Sequence, residues 1–236
     1  MSTSVPLARP RLLGHRGASA LAPENTLRAI ELAIAAGLDL VEVDVHLSRD
    51  GALMVIHDAD LRRMAGRSDA VGALRADELA RVDVGAGQGV PRLVDVFALA
   101  RGRIGVYVEL KGEHTGAALG ALVHGGGAEG VEVIAGSFEI ALVAELIDVT
   151  RDIPRSILFR RTSAAAMVEA CVSVGATYAH PCFRPLDRSL VAALHAAGLL
   201  VMAPHTNDLA EARAFAAAGI DVLATDDPAV LTSLRA

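Results

Sequence analysis

A chain of 236 residues with 53% hydrophobic content is long enough to bury a large core. Its 28 acidic against 22 basic side chains give a net charge of −6, and it has no basic block or aromatic-interleaved stretch. That excludes the electrostatic footprint of a nucleic-acid binder and points to a small-molecule partner. The first ten residues, MSTSVPLARP, lack an apolar core, and no later apolar run is long enough to span a bilayer. A cytoplasmic protein without an integral membrane segment is therefore expected. Cys171 and Cys182 lack the paired spacing of a zinc site and read as buried thiols in a reducing compartment.

In chain order, short Val/Ile/Leu runs alternate with Ala-rich stretches of helical apolar spacing, the pattern of a parallel sheet covered by helices. Strands are predicted over Arg11–Gly14, Leu40–His46, Ala52–His57, Gly105–Leu110, Val131–Ala135, Arg155–Phe159, Thr177–His180, Leu199–Ala203 and Asp221–Ala224. Helices are predicted over Thr26–Ala36, Ala76–Arg81, Leu93–Arg101, Gly116–His124, Glu139–Val149, Ser163–Val174, Arg188–Ala197 and Leu209–Ala218. Ser48-Arg49-Asp50-Gly51 reads as a hairpin turn, which makes the third strand an addition after the second. The remaining eight strand-then-helix units, with Gly37, Gly175, Gly198 and Gly219 as helix-ending caps, fit a TIM-type (βα)8 barrel in one domain over residues 1–236. An open doubly wound sheet is the alternative, but no GxGxxG or GxxxxGK[ST] loop follows the first strand.

Residues two apart on a strand face one side, so VEVDVH places Glu42, Asp44 and His46 together, opposite Val41, Val43 and Val45. Two carboxylates side by side in a barrel interior need a neutralising cation or a shared proton. A divalent cation that prefers oxygen ligands, Mg²⁺ or Ca²⁺, suits them. In isolation, such a pair reads more readily as an ion pair with an arginine on a solvated edge. Its setting argues otherwise, because ionisable residues recur at neighbouring strand ends.

The strand at Gly105–Leu110 runs out as Glu109-Leu110-Lys111, at the end where barrels keep their active sites. Glu109 can complete the cation's ligands, and Lys111 can meet a phosphate oxygen as a point charge. Of the 22 basic residues, Lys111 is the single lysine. His15-Arg16-Gly17 follows the first strand and His57-Asp58 the third. Either histidine can move a proton near neutral pH, and Arg16 can hold two phosphate oxygens. His114, His124 and His195 read as structural, whereas His46, His180 and His205 stand where they can line a pocket. Pro23-Glu24-Asn25-Thr26 reads first as a helix cap, as does Thr225-Asp226-Asp227-Pro228.

Taken together, GHRGA at Gly14–Ala18, PENT at Pro23–Thr26, VEVDV at Val41–Val45, the RDG turn, VIHD at Val55–Asp58 and VELK at Val108–Lys111 resemble the glycerophosphodiester phosphodiesterase family. GIDVLATDDP near the end is similar to its last strand. The resemblance implies a barrel with a divalent cation held by Glu42, Asp44 and Glu109, acid-base work by His15 and His57, and phosphate contacts from Arg16 and Lys111. It implies a small-molecule glycerophosphodiester substrate, cleaved to glycerol 3-phosphate and an alcohol. Where that family carries a segment like WTVN, this chain has Pro204-His205-Thr206-Asn207, and it contains no tryptophan. The connection from Leu61 to Pro91 is short and offers no clear lid. A lysophospholipase D-like lipid phosphodiesterase and a non-catalytic phosphate-ligand-binding barrel are the competing readings. The residues leave open which histidine is the acid and what the oligomeric state is.

Overall fold

The computed structural model describes residues 7–150 and 152–235. Most of the N-terminal segment considered above, residues 1–6, lies outside the described residues.

The elements follow in order as β1 (Arg11–Gly14), α1 (Leu27–Ala35), β2 (Leu40–Leu47), β3 (Leu53–Val55), α2 (Arg62–Ala65), a 3₁₀ turn at Val71–Ala73, and α3 (Ala76–Leu79). Then come α4 (Leu93–Ala100), β4 (Gly105–Leu110), α5 (Thr115–His124), β5 (Val133–Ser137), α6 (Ile140–Val149), β6 (Arg155–Phe159) and α7 (Ala164–Ser173). The chain closes with β7 (Tyr178–Pro181), α8 (Arg188–Ala196), β8 (Leu200–Val201), α9 (Leu209–Ala218), β9 (Val222–Thr225) and α10 (Pro228–Thr232).

Eight of the strands pair in parallel in the order β8-β7-β6-β5-β4-β2-β1-β9. A parallel bridge from Met202 to Val222 joins the two ends, with Ala203 N–H donating to Val222 O at 2.9 Å. The result is the expected (βα)8 barrel, and β3 is the expected addition, antiparallel to β2. β3 and β8 are shorter than predicted. After Val55 the chain leaves the ladder to deliver His57, and after Val201 it keeps only the closing bridge.

Local chemistry explains the boundaries. Thr26 caps α1 by accepting from Ala29 N–H at 3.2 Å, the helix buries Ala29, Ile30 and Ala33, and Gly37 at φ 75° ends it. Asp187, Asp208 and Asp227 cap α8, α9 and α10 in the same way. Val41, Val43 and Val45 join the apolar layer between barrel and helices, whereas Leu13, Leu40, Tyr107, Ile134 and Leu200 fill the barrel interior. The Leu61–Pro91 connection is more ordered than its sequence suggests. It carries α2, the 3₁₀ turn and α3, and with β3 it encloses a small core of Met54, Ile56, Leu61, Val71, Leu79 and Val90. The β2–β3 turn forms as predicted, with Ser48 N–H donating to Ala52 O at 2.9 Å and Gly51 at φ 80°.

The packing of α5 on α6 depends on Gly116, where a Cβ would lie 2.0 Å from the Leu142 carbonyl oxygen. Gly116→Ala should therefore lower the unfolding free energy by about 1–3 kcal/mol, the usual cost of overpacking, read from the urea midpoint.

Candidate active site

The parallel register brings the carboxylates together. Asp44 pairs with Glu109 across β2 and β4, and Glu42 lies one pleat below Asp44 on the same inner face. Oxygen atoms of Glu42, Asp44 and Glu109 all come within 4.8 Å of one another. Burial, together with the charges of Asp44 and Glu109, pushes the Glu42 carboxyl well above its ordinary range. Glu109 is raised first by burial and then by Asp44. Glu42 Oε2 accepts from Arg16 N–H at 2.7 Å, while buried Oε1 has no hydrogen-bond partner among the described residues. An orphaned buried oxygen in an all-oxygen donor set is what a hard divalent cation would satisfy, so the residues fit such an ion.

Two cations frame the acids. Lys111 Nζ lies 2.7 Å from Glu109 Oε1 and 3.3 Å from Asp44 Oδ1. Burial pulls its pKa down, but Asp44 and Glu109 outweigh that and raise it. Arg16 Nε lies 3.3 Å from Asp44 Oδ2, and its Nη1 donates to Glu24 Oε1 at 2.9 Å. Arg16 and Asn25 hold left-handed backbones at φ 55° and 59°, unusual for residues with side chains. At Gly17, φ is 84°, and a Cβ would lie 2.7 Å from Ala29 atoms. Only glycine lets the loop pass so close to α1.

Each of the two candidate catalytic histidines leans on a carboxylate. His15 Nδ1 is 2.7 Å from Asp226 Oδ1, and His57 Nδ1 is 2.6 Å from Asp58 Oδ1. Burial raises both aspartates, but hydrogen bonds outweigh it. Arg63 and His57 bring Asp58 to about 2, and His15 and Asn207 hold Asp226 far below its usual range. Carboxylates ionised at neutral pH can only accept, so each Nδ1 carries the proton and each Nε2 is left for a substrate. His57 reaches the mouth by a different route from His15. It follows an antiparallel strand that folds back from the rim, with Ile56 N–H donating to Asp44 O at 2.9 Å. Both imidazoles line one enclosed cavity of about 250 Å³, shared with Arg16, Glu42, Glu109 and Lys111.

The structure therefore gathers all seven candidate residues at one barrel mouth. It also corrects several readings of the sequence. Of the PENT segment, Thr26 is the expected cap of α1, while Asn25 has a further role: its Nδ2 donates to Asp44 Oδ2 at 2.9 Å, and its Oδ1 accepts from Asp44 N–H at 3.2 Å. Asp227 caps α10, but Asp226 serves His15, with Ser19 Oγ and Asn207 Nδ2 also donating to it at 2.9 Å. Cys182 is a partly exposed residue of the cavity wall, not a buried thiol, while Cys171 is buried; both are free.

The other histidines divide. His205 stacks on His15 with ring centroids 4.2 Å apart. His180 lines the cavity, and burial brings it down to about 4. His46 donates to the His57 carbonyl at 3.1 Å. His195 instead meets Asp221 at 2.8 Å, as a structural residue would. Glu24 and Asp58 stand in motifs quoted from the sequence but without these roles, and Arg63 was not singled out. Asp58 could have been found beside His57, but nothing in the chain links Arg63 with Glu24, 39 residues away.

Three clustered carboxylates, two oriented imidazoles and the basic side chains of Arg16 and Lys111 at one barrel mouth are the equipment of a phosphodiester hydrolase. Residues 15–230 match the model of the glycerophosphoryl diester phosphodiesterase family, and the chain belongs to that family. It is 29% identical over 235 residues to YhdW of Bacillus subtilis, covering 92% of this chain and 94% of that one. A glycerophosphodiester phosphodiesterase from Agrobacterium tumefaciens superposes with a TM-score of 0.80 at 29% identity, over 95% of this chain and 99% of that one. An Oleispira antarctica phosphodiesterase, solved with its product sn-glycerol-3-phosphate, shares the fold with a TM-score of 0.87 at 24% identity, over 97% and 98% of the two chains. The family depends on a divalent cation. No helix among the described residues is long and apolar enough to cross a membrane.

Two outcomes follow from the electrostatics. Without a cation, Glu42→Gln removes a buried like charge, so it should unfold at higher temperature than the wild type at neutral pH. Saturating Mg²⁺ or Ca²⁺ should stabilise the wild type, by about 2.7 kcal/mol at a hundredfold excess over Kd, and leave Glu42→Gln nearly unmoved in the same melting experiment. Asp58, depressed from 3.8 to about 2 on folding, contributes stability that is present above pH 3.8 and is lost as pH falls through about 2. Asp58→Asn should accordingly show a shallower loss of stability over that interval in acid unfolding curves.

Proposed function

We propose that this protein hydrolyses glycerophosphodiesters to glycerol 3-phosphate and an alcohol, with residues 1–236 acting as one barrel domain. The observation that carries this reading is the pair of carboxylate-bound imidazoles facing one cavity beside the three acids. Glu42, Asp44 and Glu109 would hold Mg²⁺ or Ca²⁺. When bound, that ion supplies positive charge to the phosphate and removes the mutual repulsion of its ligands.

Arg16 and Lys111 would grip the remaining phosphate oxygens, the arginine as a planar fork and the lysine as a point charge. One imidazole, through Nε2, takes the proton from the attacking oxygen as the new P–O bond forms. The other, imidazolium at the start with a proton on each ring nitrogen, gives its Nε2 proton to the alkoxide as the old P–O bond breaks. Asp58 and Asp226 hold the Nδ1 proton of each ring, which turns Nε2 to the substrate, and stabilise the ring that is imidazolium. Asn25 keeps Asp44 turned toward the ion site. The substrate's polar head suits a mouth lined with charge, which favours a small water-soluble diester.

The test is release of glycerol 3-phosphate from glycerophosphocholine and glycerophosphoethanolamine, with Mg²⁺ or Ca²⁺ and with EDTA. Release that requires the cation is expected, and none on either substrate under any metal would overturn the reading. His15→Ala and His57→Ala should each lower kcat by about 10²–10⁴ with the fold intact by circular dichroism. Full activity in both would overturn the proton-transfer roles.

A further inference from the structure

Neither His57 nor Arg16 is itself a residue of a strand. His57 sits beyond the last residue of β3, and Arg16 lies on the β1–α1 loop with a left-handed backbone. Both loops nevertheless converge on one side chain, Arg63 of α2. Its Nε donates to Asp58 Oδ2 at 2.6 Å. Its Nη1 and Nη2 donate to Glu24 Oε2 and Oε1 at 2.9 and 2.7 Å. Each of those carboxylates also accepts from the site: Asp58 Oδ1 from His57 Nδ1, and Glu24 Oε1 from Arg16 Nη1 at 2.9 Å. Arg16 in turn approaches Asp44.

We propose that Arg63 is a positioning residue that braces the proton-transfer arm and the phosphate-binding arm against each other, setting the orientation of His57 through Asp58 and of Arg16 through Glu24. Arg63 lines none of the three cavities at the mouth, so it does not touch substrate there. Its side chain is 45% exposed, where a single ion pair ordinarily adds little to stability. All three guanidinium nitrogens are engaged, however, in a planar fork that spans two carboxylates at once. A lysine ammonium is a single point and can serve one carboxylate well but not both. The brace couples the helical excursion after β3 to the first barrel loop, and a displacement of about 1 Å in either arm is enough to cost up to a hundredfold in rate.

The inference rests on the proposed phosphodiesterase reaction for its kinetic readout, and a spectroscopic readout stands apart from it. Arg63→Gln should lower kcat through His57 and raise KM through Arg16, for a combined loss in kcat/KM of about tenfold to a hundredfold. Its melting temperature should stay close to that of the wild type. Added guanidinium should restore part of the activity, and Arg63→Lys should fall between the two. Combining Arg63→Gln with Asp58→Asn or with Glu24→Gln should cost no more than the worse single change, because the partners act as one unit. Arg67→Ala, an exposed arginine beyond the same helix, should behave as the wild type.

The Nδ1 proton of His57, held by Asp58, should give a downfield NMR resonance that Arg63→Gln shifts or broadens. Unchanged kcat and KM in Arg63→Gln, or losses that simply multiply in the double variants, would overturn the brace. Should Arg63→Gln fail to fold, Arg63→Lys carries the same kinetic and NMR comparison. A wild type that releases no glycerol 3-phosphate would overturn the proposed function instead. The His57 resonance would then decide the brace, an unshifted signal sinking it.

Discussion

Three carboxylates forced within 4.8 Å of each other inside a barrel are the constraint around which the mouth is organised. The parallel register of β2 and β4 leaves them no way to separate, since Asp44 and Glu109 are direct neighbours and Glu42 is fixed one pleat away. Buried like charges raise the carboxyl pKa values and destabilise the fold unless opposite charge is brought in. Lys111 and Arg16 supply part of it, and an oxygen-liganded cation would supply the rest. The same positive charges that relieve the acids are those a phosphate would need, so on the proposed function the neutralisation of the interior and the recognition of substrate would be one arrangement.

Around that centre the histidines are supported from outside the barrel ladder. Asp226 comes from the end of β9 and is held by Ser19 and Asn207. Asp58 comes from the excursion after β3 and is held by Arg63. Support of this kind is costly to leave to loops, which fluctuate more than strands. The small apolar core under the excursion gives α2 a packed base from which Arg63 can reach back. Pro204 and His205 line the cavity. The His205 ring stacks on His15 and restricts it further.

Sequence patterns carried the architecture because each depends on near neighbours. Period-two alternation in VEVDVH, glycine caps and the Ser48–Gly51 turn are short-range signals, and they located β2, the helix ends and the β3 addition. Boundaries drifted where pairing partners decide them. β8 shrinks to Leu200–Val201 because barrel closure rests on a single bridge to Val222, which no local pattern records. The PENT segment reads as a cap, and Thr26 is that cap, but the role of Asn25 beside it has no local signal. The Asn25 amide turns to Asp44, since a left-handed backbone at that residue points it inward.

By itself, the sequence determined the eight strand-then-helix units, the inward face of Glu42 and Asp44, and the placing of His15, Arg16, Glu109 and Lys111 at strand ends, because strand alternation and barrel polarity follow from local geometry. Tertiary structure alone decided that His15 leans on Asp226, that Asn25 holds Asp44, and that Arg63 meets Glu24. Those are contacts between residues far apart in the chain. A hydrogen bond across such a distance has no periodicity to betray it, and only the closed barrel brings its two ends together.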